Sequence, residues 1–394
     1  MIKKIPGKYW LFFVGAYLIS TGGVFAAVTL GGSGSIVSPA ADSEISSPGE
    51  IDLSAPKNQE CPINGKMYTE AEKDIWQTRK PLLVMIENHE EARPQSGLSR
   101  ADVIYEAVAE GAITRFMGVF YCGAAAPAEK KYDFGPVRSA RTYFLDWASE
   151  YDEDPLYVHV GGAGNCSDTT VDTRAKALCQ IEKYGWKDSG SWNDMDQFAL
   201  PYSACRREPE RTGETRATEH TMYCDSTSLW QVAEDRGFGK WETDFRSWEF
   251  KDDLSLDKRG SDDKIEIYFW QGYGAYGVTW DYSKETNSYI RSNGGQLQKD
   301  YLTGNPLEAK VVVAQFTKET GPVDDHKHML YTTIGKGDAI VFQDGKAIEG
   351  SWSKKDRQSR TVFYDDSGTE IELNRGLVWI EILPIGNKVT YGSK

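Results

Sequence analysis

Gly135-Pro136-Val137-Arg138-Ser139-Ala140-Arg141 stands at the centre of residues 81–164, the segment around which the chain is organised. Glycine followed by proline predicts the entry of a helix, because proline supplies a helical φ and gives up only an N–H that is unpaired in a first turn anyway. On that reading Arg138 and Arg141 lie three apart on one helical turn, at an end whose free N–H groups favour an anion. Apolar residues at Val137, Ala140, Phe144, Leu145 and Ala148 carry the predicted helix to about Tyr151. The expectation is an anion-facing site.

Around this stretch the pattern is that of an α/β domain. Residues 81–87 form a short apolar run suited to a buried strand, and 103–109 with 113–121 read as a hairpin about Glu110-Gly111-Ala112. A further strand at 156–160 ends in Gly161-Gly162-Ala163-Gly164, and helices are predicted at 175–184 and 228–236. A glycine-rich turn at a strand's carboxyl end is where α/β sheets bind ligands. From Lys264 the period changes to that of strands, punctuated by Asn293-Gly294, Asp344-Gly345 and Ser367-Gly368. The fold class expected is therefore α+β, mixed: an N-terminal α/β domain with a mixed sheet over 61–240, then a mostly antiparallel β domain over 262–394. The 12 tryptophans and 21 tyrosines are read mainly as core and cross-strand pairs rather than sugar platforms.

The N-terminal end points outside the cytoplasm. Residues 9–30 carry no charge and are long enough to span a bilayer as a helix, with Lys3, Lys4 and Lys8 before them. This predicts a cytoplasmic tail at 1–8, a transmembrane anchor at 9–30 and a Gly/Ser/Pro-rich tether at 31–60, with the body extracytoplasmic. The alternative is a secreted protein released by signal-peptide cleavage after Val24-Phe25-Ala26. Setting the three lysines aside leaves 42 of the 45 basic residues against 59 acidic ones, a charge of −17. Such a body repels phosphate backbones, so nucleic acid is excluded as a partner. All six cysteines lie in the exported part, where disulfides are expected. Proximity along the chain favours Cys166–Cys179 and Cys205–Cys224, which leaves Cys61–Cys122.

Several chemical signatures are missing: a His-Glu-x-x-His helix, a Gly-x-Ser-x-Gly elbow, a Gly-Lys-Ser/Thr phosphate loop and any Cys-x-x-Cys pair. No cofactor and no metal centre is expected. His326-Lys327-His328 behind Asp324 and Asp325 is read as an exposed loop before a metal pair. The richer constellation comprises Asn88, Arg93, Glu106, Glu110, Arg115, Arg138, Ser139, Arg141, His159, Gly161 and Gly162. The arginines suit a phosphate or carboxylate, and Glu106 and Glu110 share one face of a regular strand, where a carboxylate pair serves acid/base work. The competing reading is that these charges satisfy one another as partly buried ion pairs.

The run Met85-Ile86-Glu87-Asn88-His89, Ala92-Arg93-Pro94-Gln95-Ser96-Gly97-Leu98, Tyr105-Glu106, Glu110-Gly111, Ile113-Thr114-Arg115, the central Gly135–Arg141 stretch and His159 before Gly161-Gly162 resembles the YerB-like bacterial cell-surface lipoproteins. Asp344-Gly345-Lys346, Gly350, Trp352, Lys354 and Gly376-Leu377-Val378-Trp379-Ile380 resemble that family's C-terminal β part. The resemblance implies a membrane-attached extracytoplasmic protein with an α/β part followed by a β part, in a family of unknown function expected to work near the cell wall. Family members are often anchored through an N-terminal cysteine, whereas the first cysteine here is Cys61.

Three functions follow as expectations. One is a membrane-tethered envelope protein that binds an anionic envelope ligand or a protein partner through the N-terminal domain. A second is a peptidoglycan hydrolase or transferase using Glu106 or Glu110. The third is a scaffold for membrane-associated cell-wall synthesis enzymes.

Overall fold

The apolar runs find their burial in one large sheet. The computed structural model describes residues 54–125, 132–187, 192–242, 244–261 and 264–392. The expected tail, the membrane span and most of the tether lie outside the described residues. Among the described residues, no helix is long and apolar enough to cross a membrane.

We label β1 Leu82–Glu87, β2 Val103–Glu110, β3 Ile113–Phe120, β4 Leu156–His159, β5 Asp194–Asp196, β6 Lys264–Ile267, β7 Val278–Ser283, β8 Ser288–Asn293, β9 Gln296–Leu297, β10 Val311–Thr317, β11 Gly335–Gln343, β12 Lys346–Lys354, β13 Val362–Asp365, β14 Val378–Pro384 and β15 Val389–Tyr391. The helices of seven or more residues among those described are α1 Glu70–Trp76, α2 Thr142–Ala148, α3 Ala177–Lys183 and α4 Ser226–Asp235. A ten-stranded sheet runs β13-β12-β11-β10-β14-β2-β3-β1-β4-β5. It is mixed: β1–β4, β4–β5, β10–β14 and β14–β2 are parallel, while the remaining pairs are antiparallel. Strands from both halves of the sequence enter it, and the seam is β14 against β2, with Glu381 opposite Glu106. A second, antiparallel sheet runs β9-β8-β7-β6-β15, with Glu308–Ala309 added along β8.

Every side chain of β1 is buried, as a strand covered on both faces requires. The β2–β3 hairpin closes through Gly111 (φ 55°) and Ala112 (φ 71°), the two positive φ values of a turn whose twist matches that of the strands. Its ladder is not regular. Val108 opposes Thr114 but Glu110 opposes Ile113, so Ala109 bulges out. That one extra residue moves Glu110 to the face that carries Ala107 and Arg115, opposite the face of Glu106. The shared face expected for the two carboxylates is therefore absent, because strict alternation holds only for an unbulged strand.

On the Glu106 face the sheet is closed by Arg291 of β8. Arg291 and Glu106 are both fully buried and joined at 2.5 Å, with the guanidinium among the rings of Phe116, Trp280 and Trp379. Trp280 and Trp379 are themselves fully buried, core residues as their number suggested.

Three disulfides join Cys61 to Cys122, Cys166 to Cys179 and Cys205 to Cys224. These are the pairs that chain proximity favoured.

Candidate functional site

The central stretch does not start a helix. Residues 136–140 are extended and wedge between the carboxyl ends of β1 and β4. The Glu87 amide donates to the Pro136 carbonyl and the Arg138 amide to that of Met85. On the other side the Val160 amide donates to Arg138, and the Ala140 amide to Gly161. These tertiary hydrogen bonds outweigh the local helical preference of a Gly-Pro entry. Helix α2 begins only at Thr142, with Arg141 as its extended N-cap and no side-chain capping bond.

The consequence for the two arginines is geometric. Three residues apart on a helix they would be neighbours, but on an extended segment they turn to opposite sides. Arg138 Nε donates to Glu87 Oε1 at 3.0 Å, and Glu87 Oε2 lies 2.8 Å from His220 Nδ1. Arg141 instead reaches Glu110, with Nη2 and Nε at 2.6 and 3.2 Å from Oε2. Arg115 Nη2 meets the other Glu110 oxygen at 2.8 Å, and its Nη1 donates to the Ser139 carbonyl. Burial pushes the Glu110 carboxyl up, but the two guanidiniums outweigh it and hold the group well below the usual carboxylate range. Two buried guanidiniums thus bond one carboxylate.

Glu110, Ser139, Arg141 and Gly162 line an open cleft of about 390 Å³. Its far wall is the loop containing Asp168 and Thr170, stapled by Cys166–Cys179, and its rim carries His326 and His328 from the C-terminal half. His328 forms a β-bridge to Glu110 and its Nδ1 lies 2.8 Å from Asp324. His326 Nε2 lies 3.3 Å from Thr170 Oγ1. Gly162 sits close against its neighbours: a Cβ there would meet Leu178 Cδ2 at 2.9 Å and Ala140 Cβ at 3.1 Å, so the Leu178 side chain would have to shift.

The other sequence candidates do not reach this cleft. His159 is fully buried behind it, with Nε2 at 2.6 Å from Asp194 and Nδ1 at 2.7 Å from the Gly161 carbonyl. Burial works against its charge, but Asp194 outweighs that and raises its pKa. Both nitrogens face acceptors, so the ring serves as a cation that holds the Gly161 turn rather than as a free base. Asn88, Arg93 and Glu106 belong to the opposite face of the sheet. There Asn88 donates to Glu106 and Thr114, and Arg93 binds Asn88 and the Ala275 carbonyl. Sequence reading missed Asp168 and Thr170 as cleft residues, and it placed His326 and His328 on a loop without a partner surface. The approach of His326 to Thr170 is a contact across more than 150 positions, which no local pattern reports.

The N-terminal domain model of the family described as "Protein of unknown function (DUF3048)" matches residues 68–239, and the C-terminal domain model of that family matches 265–380. The chain belongs to this family. It is 28% identical over 312 residues to "Putative lipoprotein YerB" of Bacillus subtilis (strain 168), covering 78% of this chain and 82% of that protein. The crystal structure of the YerB protein from Bacillus subtilis shares its fold, with a TM-score of 0.66 at 24% identity over 84% of this chain and 99% of the other. The relationship to a lipoprotein supports a membrane-associated, extracytoplasmic protein, and three disulfides agree with an oxidising compartment.

Proposed function

We propose that this is a membrane-tethered protein of the cell envelope that binds an anionic envelope ligand in the cleft between Arg141, Ser139 and the Gly161–Gly164 turn. The observation that carries this reading is the pairing at the floor of a solvent-open cleft on an otherwise acidic body: Arg141, which lines the cleft, and Arg115 behind it are both bonded to the single carboxylate of Glu110, with Asp168 on the far wall. Three of the five N–H groups of Arg141 are engaged by Glu110 and the Ala140 carbonyl, which leaves two for an incoming oxyanion. The Ser139 hydroxyl has no partner among the described residues and adds a donor. The apolar span 9–30 would supply the tether.

No observation favours the hydrolase reading. Glu106 is sealed in the core against Arg291, and Glu110 is locked in its ionised form by two guanidiniums, so neither can act as an acid in the cleft.

The test is calorimetric titration of the full-length chain with glycerol phosphate and with a carboxylate-bearing peptidoglycan fragment. Arg141→Ala and Ser139→Ala should weaken binding while Arg138→Ala, outside the cleft, leaves it intact. Equal losses at Arg138 and Arg141, or unchanged binding in Arg141→Ala, would overturn the reading.

A further inference from the structure

Glu87, which the cleft does not use, organises a second group of side chains at the carboxyl end of β1. The chain leaves β1 through Asn88 into a short 3-10 turn, Glu90–Ala92, whose N-cap is His89. A second 3-10 turn, Thr218–His220, comes from 133 positions away and lays His220 on this corner. The imidazoles of His89 and His220 stack with centroids 4.7 Å apart and planes 11° apart. Glu91 extends from the same turn into solvent, with Oε2 3.6 Å from His220 Nε2. One ligand atom from each of His89, Glu91 and His220 falls within 4.8 Å of the other two.

We propose that His89, Glu91 and His220 form a binding site for a divalent transition metal of the zinc class, with a fourth position open to solvent. Two imidazoles and one carboxylate are a donor set that zinc takes in open sites, and bonds of about 2.0–2.1 Å put tetrahedral ligand atoms roughly 3.3 Å apart. The Glu91–His220 separation is already close to that; His89, whose ring is stacked on His220 and whose Nδ1 accepts from the Glu91 amide, turns out of that stack to bring in the third. The strongest support lies behind the ligands. His220 Nδ1 is held by Glu87 Oε2, so the carboxylate fixes the tautomer that presents Nε2 outward, the arrangement that orients metal-binding histidines. Glu87 is in turn fixed by Arg138 on its other oxygen. This gives Arg138 a role that the anion reading of the sequence did not contain: it sets the carboxylate that sets the imidazole.

All six cysteines are in disulfides, so thiolates do not compete for the ion. The His326–His328 pair is a separate group whose nearest carboxylate, Asp324, already holds His328 Nδ1.

The experiment is titration of chelator-stripped full-length chain with Zn²⁺ alone, followed by calorimetry, and with Co²⁺, followed by its visible absorption. One equivalent should bind. Glu91→Ala, at an exposed position that the fold does not depend on, should weaken it at least tenfold. His89→Ala and His220→Ala should each abolish both the heat and the tetrahedral cobalt band. Glu87→Gln should cost about 10–100-fold in affinity with the three ligands still present. His326→Ala is the control and should change nothing. Absence of binding at micromolar Zn²⁺, or stoichiometric binding that survives Glu91→Ala and His89→Ala together, would overturn the assignment.

Discussion

Glu110 and Arg141 meet at 2.6 Å across the floor of the cleft, and Arg115 takes the other oxygen of the same carboxylate at 2.8 Å. The three groups are not equivalent. Among the described residues Glu110 is the only anion bonded to either guanidinium there, whereas each guanidinium is one of two.

This asymmetry orders the mutants. Glu110→Ala strands two buried cations and should destabilise the fold by about 3–5 kcal/mol, the cost of breaking a buried pair from one side. Arg141→Ala leaves Glu110 paired to Arg115 and should cost well under half of that. Urea unfolding of both variants checks the order, and a larger loss in Arg141→Ala would show that Arg115 does not carry the pairing alone.

The same carboxylate sets part of the acid limit. Its folded pKa is depressed, so its contribution is fully present above the unfolded value of about 4.3 and is lost as pH falls through the folded one. Glu110→Gln should therefore be less stable than the parent at neutral pH and show a shallower loss of stability below about pH 4. Parallel slopes in a pH series of unfolding midpoints would remove Glu110 from the acid transition.

At the seam of the large sheet the sign reverses. Glu381 is fully buried opposite Glu106, and burial first, then the neighbouring Glu106 charge, raise its pKa well above the carboxylate range. A raised carboxyl loses stability as pH climbs past the unfolded value of about 4.3. Glu381→Gln keeps the shape and removes that cost, so it should match or exceed the parent above about pH 7, whereas Glu106→Gln, which leaves Arg291 without its carboxylate, should be clearly destabilised. Thermal unfolding at two pH values separates the pair.

How far the sequence reveals this molecule follows from the range of the interactions. The strands at 82–87, 103–110, 113–120 and 156–159 were legible because apolar runs bounded by turn residues report burial locally. The disulfides were legible because two of the three pairs are short-range. The extended course of 136–140 was not, since it is decided by carbonyls of Met85 and Gly161 that lie far away in the chain. The Ala109 bulge has no signature of its own, yet it alone decides on which face Glu110 appears. His220 carries no local motif either, and it gains meaning only where the fold sets it against Glu87, His89 and Glu91.

The loop disulfide should matter to the cleft more than to the fold. Cys166–Cys179 spans 13 positions and holds the Asp168 wall, whereas Cys61–Cys122 spans 61 and ties the segment before α1 to the end of β3. In the chain-entropy model the shorter loop is worth about 3 kcal/mol and the longer about 4. Serine pairs at 166/179 should lower anion binding strongly with a moderate fall in melting temperature, while serine pairs at 61/122 should lower the melting temperature more and spare binding at temperatures where the chain stays folded. The reverse pattern in calorimetry would detach the cleft from this loop.

His159 gives the alkaline counterpart. Its Nε2 lies 2.6 Å from Asp194 and its Nδ1 faces the Gly161 carbonyl, with burial opposing the charge and Asp194 outweighing it, so the folded pKa is raised. A histidine raised on folding contributes stability that is fully present below its unfolded pKa of about 6.5 and is lost as pH rises through the folded value. The gap in unfolding free energy between the parent and Asp194→Asn should therefore be widest below about pH 6.5 and narrow as pH rises through the raised folded value. Because the imidazole also holds the Gly161 turn, anion binding in the cleft should fall over the same interval in the parent. A gap that stays constant with pH would mean that the buried ring is neutral throughout, and that the turn is held by the Asp196 bond to the Gly161 amide instead.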